Sequence, residues 1–196
     1  MKLIPLFLLV GMLAMSGWAE DKKPEAYSPE LVKKAEAGDA KAQSLLGGCY
    51  YFGNGVTQDY KEAVKWYTKS AEQGEAHAQA ALGASYQFGL GVTQDVKEAV
   101  KWYRKLAERG DADGQCALGG LLYSGLGVTQ DVKEAVKWYR KLAEQGDANA
   151  QVILGICYKN GQGVDKDEKE AVKWYTKSAE QGDERAKKAL EQLKSK

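Results

Sequence analysis

Reactive chemistry in this chain would have to come from very few residues: one histidine, His77, and three cysteines, Cys49, Cys116 and Cys157. A lone histidine excludes an H-E-x-x-H motif and any multi-histidine zinc site, because each needs at least two imidazoles on one metal. No serine has a lysine three places after it, so the serine-lysine pair of ordinary penicillin-recognising enzymes is missing. Glycine loops of the form G-x-G-V recur, as at Gly53, Gly55 and Val56. They carry neither the lysine of a phosphate-binding loop nor a strand before it. His77 is expected near a helix start as a solvated or hydrogen-bonded residue. No catalytic set, metal site or cofactor is assigned.

The elements that position these residues come from one stretch, GVTQDVKEAVKWYRKLAEQG at 127–146, with close copies starting at Gly55, Gly91 and Gly163, always 36 residues from copy to copy. Residues 91–109 and 127–145 differ only at Arg109 against Gln145. Four full units follow from the period: 38–73, 74–109, 110–145 and 146–181. A capping helix at 29–37, with Ser28 as N-cap and Pro29 at the first helical position, and a C-terminal capping helix at 182–196 are expected to close the ends. Each unit opens with a glycine and a capping acid: Asp39, Asp111, Asp147 and Asp183, with Glu75 the exception. Its first helix then runs into the glycine loop, where Gly53 and Gly55 are expected to need positive φ. Asp59 with Glu62, Asp95 with Glu98, and Asp131 with Glu134 have the spacing of a capping box for the second helix.

At 100° per residue Ala63, Val64, Trp66, Tyr67, Ser70 and Ala71 share an arc of about 160° on the second helix. Ala42, Leu45, Leu46, Cys49 and Tyr50 do the same on the first. The Trp66, Trp102, Trp138 and Trp174 series falls in this arc, so packing explains it better than carbohydrate stacking. One hairpin with two apolar stripes cannot bury them alone. The expected fold is therefore all-α: a right-handed α-α superhelix, or solenoid, of antiparallel helix hairpins with a 36-residue period. Cys49 and Cys157 occupy the same site three units apart, beyond the roughly 7 Å reach of a disulfide. Cys116 and Cys157 are expected on opposite faces of their helices, so no intramolecular disulfide is expected. Cys49 and Cys157 then serve as small core residues, and Cys116 is read as an inert surface thiol with no basic neighbour to lower its pKa, a reactive or intermolecular thiol being the alternative.

Residues 1–19 have the composition of a signal peptide: Lys2, an apolar run from Leu3 to Met15 broken by Pro5 and Gly11, and small residues Gly17 and Ala19 before the expected cut. The product is expected to be periplasmic or secreted, without membrane insertion after cleavage, and to begin with a flexible leader at 20–28. Cleavage removes Lys2 and no acid, so 28 basic residues become 27 against 27 acidic ones. A neutral chain with finely mixed charge is not expected to bind nucleic acid, which requires a clustered basic surface. Its charges read as a solvated helix face.

The unit AQSLLGGCYYFGNGVTQDYKEAVKWYTKSAEQG resembles the Sel-one-like repeat family, relatives of the tetratricopeptide repeat with a longer period and a G-x-G-V loop. The likeness covers the chain from about Gly38 onward. The third unit departs, with Leu121 and Leu122 where the others have Cys or Ser followed by Tyr, and with Tyr123 one place later. The resemblance implies an adaptor or scaffold that holds a protein or peptide along a concave face, exported bacterial members often serving envelope or host interactions. A cysteine-rich branch of the same family is linked to penicillin binding and β-lactamase activity. An envelope-associated hydrolase or peptidoglycan binder is therefore the alternative, although that branch pairs cysteines across each hairpin and this chain does not.

In tetratricopeptide-like solenoids the first helix lines the inner surface, and there the copies disagree. The varied stripe is Lys41, Ser44, Gly48 and Tyr51; then His77, Ala80, Ala84 and Gln87; Asp113, Cys116, Gly120 and Tyr123; and Asn149, Val152, Ile156 and Lys159. This is the candidate ligand face. Small residues at its centre would admit a partner's backbone, Tyr51 and Tyr123 are aromatic anchors, and Val152 and Ile156 are apolar residues on an otherwise exposed stripe. The expected partner is a protein or peptide, and the expected state is a monomer.

Overall fold

The computed structural model describes residues 27–194; the signal-peptide reading and most of the leader lie outside them. The described residues form ten α-helices and no strand. They are α1 (Pro29–Glu36), α2 (Ala40–Phe52), α3 (Tyr60–Glu72), α4 (Ala76–Phe88), α5 (Val96–Glu108), α6 (Ala112–Ser124), α7 (Val132–Glu144), α8 (Ala148–Asn160), α9 (Glu168–Glu180) and α10 (Glu184–Lys194). The expected all-α repeat of antiparallel hairpins is present. The chain divides into two compact units inside α6, between Gly114 and Gln115. In unit 1 consecutive helices pack from α1 to α5, and in unit 2 from α7 to α10.

Local chemistry sets the helix boundaries. Ser28 Oγ accepts from Leu31 N at 3.1 Å with Pro29 following it. Asp39, Asp111 and Asp147 accept from the amides of Ala42, Gly114 and Ala150 at 2.7, 2.8 and 2.6 Å. Glu75 is not an exception in function: its longer side chain still reaches Ala78 N at 2.7 Å. Asp59, Asp95 and Asp131 cap the second helices, accepting from Glu62 N, Glu98 N and Glu134 N at 3.0, 3.0 and 2.8 Å. Only this half of each capping box forms. The aspartate's own N–H is already given to the first helix of its hairpin: Asp59 to Tyr50 O, Asp95 to Tyr86 O, Asp131 to Leu122 O and Asp167 to Tyr158 O, all at 2.9 Å. The acceptor is a backbone carbonyl, so the leucine at 122 leaves this bond intact.

The core repeats with the chain. Leu46, Leu82, Leu118 and Leu154 are at most 1% exposed, and Tyr67, Tyr103, Tyr139 and Tyr175 at most 4%. Each tyrosine lies flat against a glycine of its partner helix. A Cβ built on Gly47, Gly83, Gly119 or Gly155 would come within 2.7, 2.8, 3.2 or 2.5 Å of Tyr67, Tyr103, Tyr139 or Tyr175. Consecutive hairpins are joined by buried glutamines, with Gln43, Gln79 and Gln151 donating to the carbonyls of Ala35, Ala71 and Ala143 at 3.0, 3.1 and 3.1 Å. The tryptophans pack as expected, Trp102, Trp138 and Trp174 being at most 8% exposed. Lys69, Lys105, Lys141 and Lys177 place their ammonium groups 4.1, 3.9, 4.3 and 4.5 Å from the Trp66, Trp102, Trp138 and Trp174 rings. Exposed pairs such as Lys65 with Glu62 and Lys101 with Glu98, both at 2.6 Å, contribute about 0–1 kcal/mol each.

The last described helix departs from the repeat: where the full repeats have Gly47, Gly83, Gly119 and Gly155, α10 has Glu191. Arg185 anchors its start, with Nε 3.1 Å from Asp183 Oδ1 and Nη2 on Asn149 Oδ1. The guanidinium beside Asp183 holds its carboxyl below the usual carboxylate range. A depressed carboxylate stabilises above its unfolded pKa of about 3.9 and loses that contribution as pH falls through the lower folded value. Amide exchange in α10 should therefore accelerate at acid pH before exchange in α8 does, and D183N should show the fast α10 exchange already at neutral pH.

Candidate functional site

The face expected to bind is split by burial. Its N-terminal ends are open, with Lys41, His77, Asp113 and Asn149 exposed. Its C-terminal ends are half-buried at Tyr51, Gln87, Tyr123 and Lys159, with Ile156 37% exposed. The centre is not open. Ser44, Ala84 and Val152 are 2%, 3% and 5% exposed, Gly48 and Gly120 are buried, and Ala80 and Cys116 are intermediate. The chain itself covers these positions, and in unit 1 α2 touches α4 as well as α3. Small residues there are explained by close helix packing, so they do not form an open floor for a partner. Val152 is a core residue, and of the two apolar residues on the stripe only Ile156 remains accessible.

The residues at both ends are held in place. In unit 1 the Tyr51 ring meets Phe52 at 4.9 Å and Tyr60 at 5.0 Å, edge to face, and burial pushes its phenol up. Phe52 is 44% exposed, so this aromatic group reaches the surface. Gln87 Oε1 accepts from the Tyr103 hydroxyl at 3.0 Å. Burial raises the Asp113 carboxyl, repulsion from Asp111 adds to it, and His77 opposes both. In unit 2 the Tyr123 hydroxyl donates to Gln162 Oε1 at 3.3 Å, and burial pushes that phenol up.

The cysteines are all thiols. Cys49 and Cys157 are 2% and 0% exposed, the small core residues expected, and burial pushes the Cys157 thiol up to about 11. Burial pushes the Tyr139 phenol well up, and the Cys116 and Cys157 thiols add to the shift. A thiol-reactive dye at mildly alkaline pH should label Cys116 within minutes and Cys49 and Cys157 only after denaturant is added. Equal labelling of all three in the native protein would contradict this burial. Among the described residues no group of three His, Cys, Asp or Glu side chains is placed to hold a metal ion, and no helix is long and apolar enough to cross a membrane.

The residues that determine this geometry and that the apolar arcs do not include are the hairpin glycines, Gly47, Gly83, Gly119 and Gly155, and the buried glutamines. Their signal was identity at one position in every copy, which helical-arc arithmetic alone does not weigh.

Comparison with known proteins matches this geometry to a family. The sequence model of the Sel1 repeat matches residues 40–75, 76–111, 112–147 and 148–183. A Sel1 repeat protein from Oxalobacter formigenes is 38% identical with a TM-score of 0.75, covering 93% of this chain and 73% of that one. A protective antigen of uropathogenic Escherichia coli, c5321, which displays the same repeat fold, is 45% identical with a TM-score of 0.73 over 79% of this chain. The match spans 33% of that antigen. Helicobacter pylori cysteine rich protein B is 28% identical with a TM-score of 0.51, covering 68% of this chain and 96% of that one. No match was found among curated proteins.

Proposed function

The chain belongs to the Sel1 repeat family, a helical-repeat fold of the protein-interaction type, and on that premise we propose that it is an exported scaffold that holds a protein or peptide partner. In unit 1 the contact uses Tyr51 with Lys41, His77 and Asp113, and in unit 2 it uses Tyr123 and Ile156 with Asn149. One observation carries this reading: the repeats keep their second helices nearly constant, while the exposed position at the start of each first helix, Lys41, His77, Asp113 or Asn149, carries a different side chain in each copy. A frame maintained under a varied surface is what recognition requires. Export rests on the composition of residues 1–19, and it agrees with the antigenic character of the E. coli relative. The scaffold acts as a monomer and needs no cofactor. The hydrolase alternative has only the likeness to the H. pylori cysteine-rich protein behind it.

Two measurements test the reading. Immobilised protein should capture a partner from envelope extract, and Y51A/Y123A/I156A should lower capture at least about tenfold, since central aromatic and aliphatic contacts dominate interface energy. Helical circular dichroism should remain that of the native protein. Undiminished capture by the triple variant would remove the first-helix ends from the interface. Turnover of a chromogenic β-lactam that survives repurification would replace the scaffold with an enzyme.

A further inference from the structure

Beside the loop between α8 and α9, unit 2 has an open groove of about 670 Å³, lined by Lys133 of α7, Tyr158 of α8, and Gly163, Asp165 and Lys166 of the loop, among others. Here the fourth repeat departs from the first three. Those carry Thr-Gln in the loop, and the glutamine amide closes it onto the first helix. Gln58 donates to Tyr51 O at 2.7 Å, Gln94 to Gln87 O at 2.8 Å and Gln130 to Tyr123 O at 2.7 Å. The fourth repeat has Asp165-Lys166 in their place, and Lys166 turns outward to Glu168 at 3.5 Å. A neutral Thr-Gln pair that closes the loop has become a charged Asp-Lys pair.

The groove carries charges of both signs. Lys133 and Asp165 border the same groove, both are exposed, and neither is hydrogen-bonded or ion-paired among the described residues. The groove's aromatic wall is fixed, because Tyr158 is 8% exposed and its hydroxyl accepts from the Arg140 guanidinium. Such a surface meets a ligand without first having to order itself, which lowers the cost of binding. A purely anionic ligand would gain at Lys133 and be repelled at Asp165 and Asp167, and a purely cationic one would meet the reverse. Complementarity is reached only by a ligand with both charges.

We propose that this groove binds an extended protein segment that carries an acidic and a basic side chain close together. The acid meets Lys133 and Lys166, and the base meets Asp165. This rests on the scaffold reading and extends it to a second contact, at the loop of the fourth repeat. Exposed ion pairs contribute little individually, so the isolated segment should bind at about millimolar strength.

The test is a nuclear magnetic resonance titration of the full chain with three capped octapeptides of equal length. One mixes Lys and Glu, one has Gln at every charged place, and one has only Glu there. The mixed peptide should shift the Gly161, Gly163 and Asp165 amides saturably, and high salt should abolish the effect. The all-Glu peptide and the K133Q/D165N variant should each bind about fivefold more weakly or worse, and the all-Gln peptide should leave the loop unmoved. Both substituted side chains are exposed and unpaired, so the variant's spectrum reports directly that it is folded. Loop shifts that are absent, that match those of the all-Gln peptide, or that saturate in the variant at the same peptide concentration as in the native protein overturn the proposal. Shifts confined to Tyr123 and Ile156 overturn the groove and leave the first-helix contact standing. Loop shifts together with capture that ignores Y51A/Y123A/I156A do the opposite.

Discussion

G155A should lower the stability of the protein by about 1–3 kcal/mol, although alanine is the better helix former by about 1 kcal/mol. The new methyl would stand 2.5 Å from Tyr175 Cε1 and 2.6 Å from Cδ1, well inside van der Waals contact. The ring cannot turn aside because Tyr175 is 2% exposed; burial also pushes its phenol up to about 12. Helices α8 and α9 must therefore separate, and that separation opens the shared core. For a chain of this size about 2 kcal/mol corresponds to a fall in Tm of roughly 4–8 °C, measurable by circular dichroism. The same substitution should be milder at Gly119, where the nearest ring atom is 3.2 Å away. Adding Y175L to G155A should restore part of the loss, since the smaller side chain frees the space that the methyl needs. An unchanged or raised Tm in G155A would show that the hairpin spacing is not set by this contact.

The second large effect is expected at Gly91. Gly91 and Gly110 both lie in unit 1 with positive φ, +74° and +87°, and alanine at either must adopt a left-handed conformation at about 1–2 kcal/mol. Their surroundings differ. Nothing lies within 4 Å of a Cβ on Gly110, whereas one on Gly91 would overlap the Tyr60 carbonyl of the preceding hairpin. That neighbour is backbone and cannot rotate away. G91A should therefore cost at least about 3 kcal/mol and G110A about 1, with G91A also speeding amide exchange at the start of α3. Equal costs would mean that conformational strain alone explains the conservation of glycine across the copies. The same approach recurs between Gly55 and Tyr27 and between Gly163 and the Val132 carbonyl, 2.6 Å from a built Cβ. The second loop glycine is thus where one hairpin rests on the one before it.

The fold was legible because a 36-residue period repeats every signal. Capping acids, loop glycines and apolar arcs agree in each copy, and a local error in one is corrected by the others. Glu75 shows how robust this is, since a residue less suited to capping still caps in the structure. The capping boxes show where local reasoning stops. Spacing predicts that Glu62 bonds back to the Asp59 amide, but Tyr50 O, from a helix earlier in the chain, holds that amide. Glu62 pairs with Lys65 instead.

The candidate site was legible in outline and misjudged at its centre. Variation among the copies located the first-helix stripe, but variation does not separate an open position from one that a neighbouring helix covers. Ser44, Ala84 and Val152 differ from their counterparts and are nevertheless buried. Helical phase gives the direction of a side chain and not what stands in that direction.

By itself, the sequence determined the period, the helical repeat and its capping acids, the core arcs and the family resemblance, because these depend on contacts between residues near in the chain or equivalent between copies. Only the tertiary structure decided which stripe residues remain accessible, that tyrosines lie on glycines, that buried glutamines join the hairpins, and that Lys133 and Asp165 border one groove. Each of these depends on the distance between groups from different helices, which close packing fixes to within a few tenths of an ångström and linear spacing does not encode.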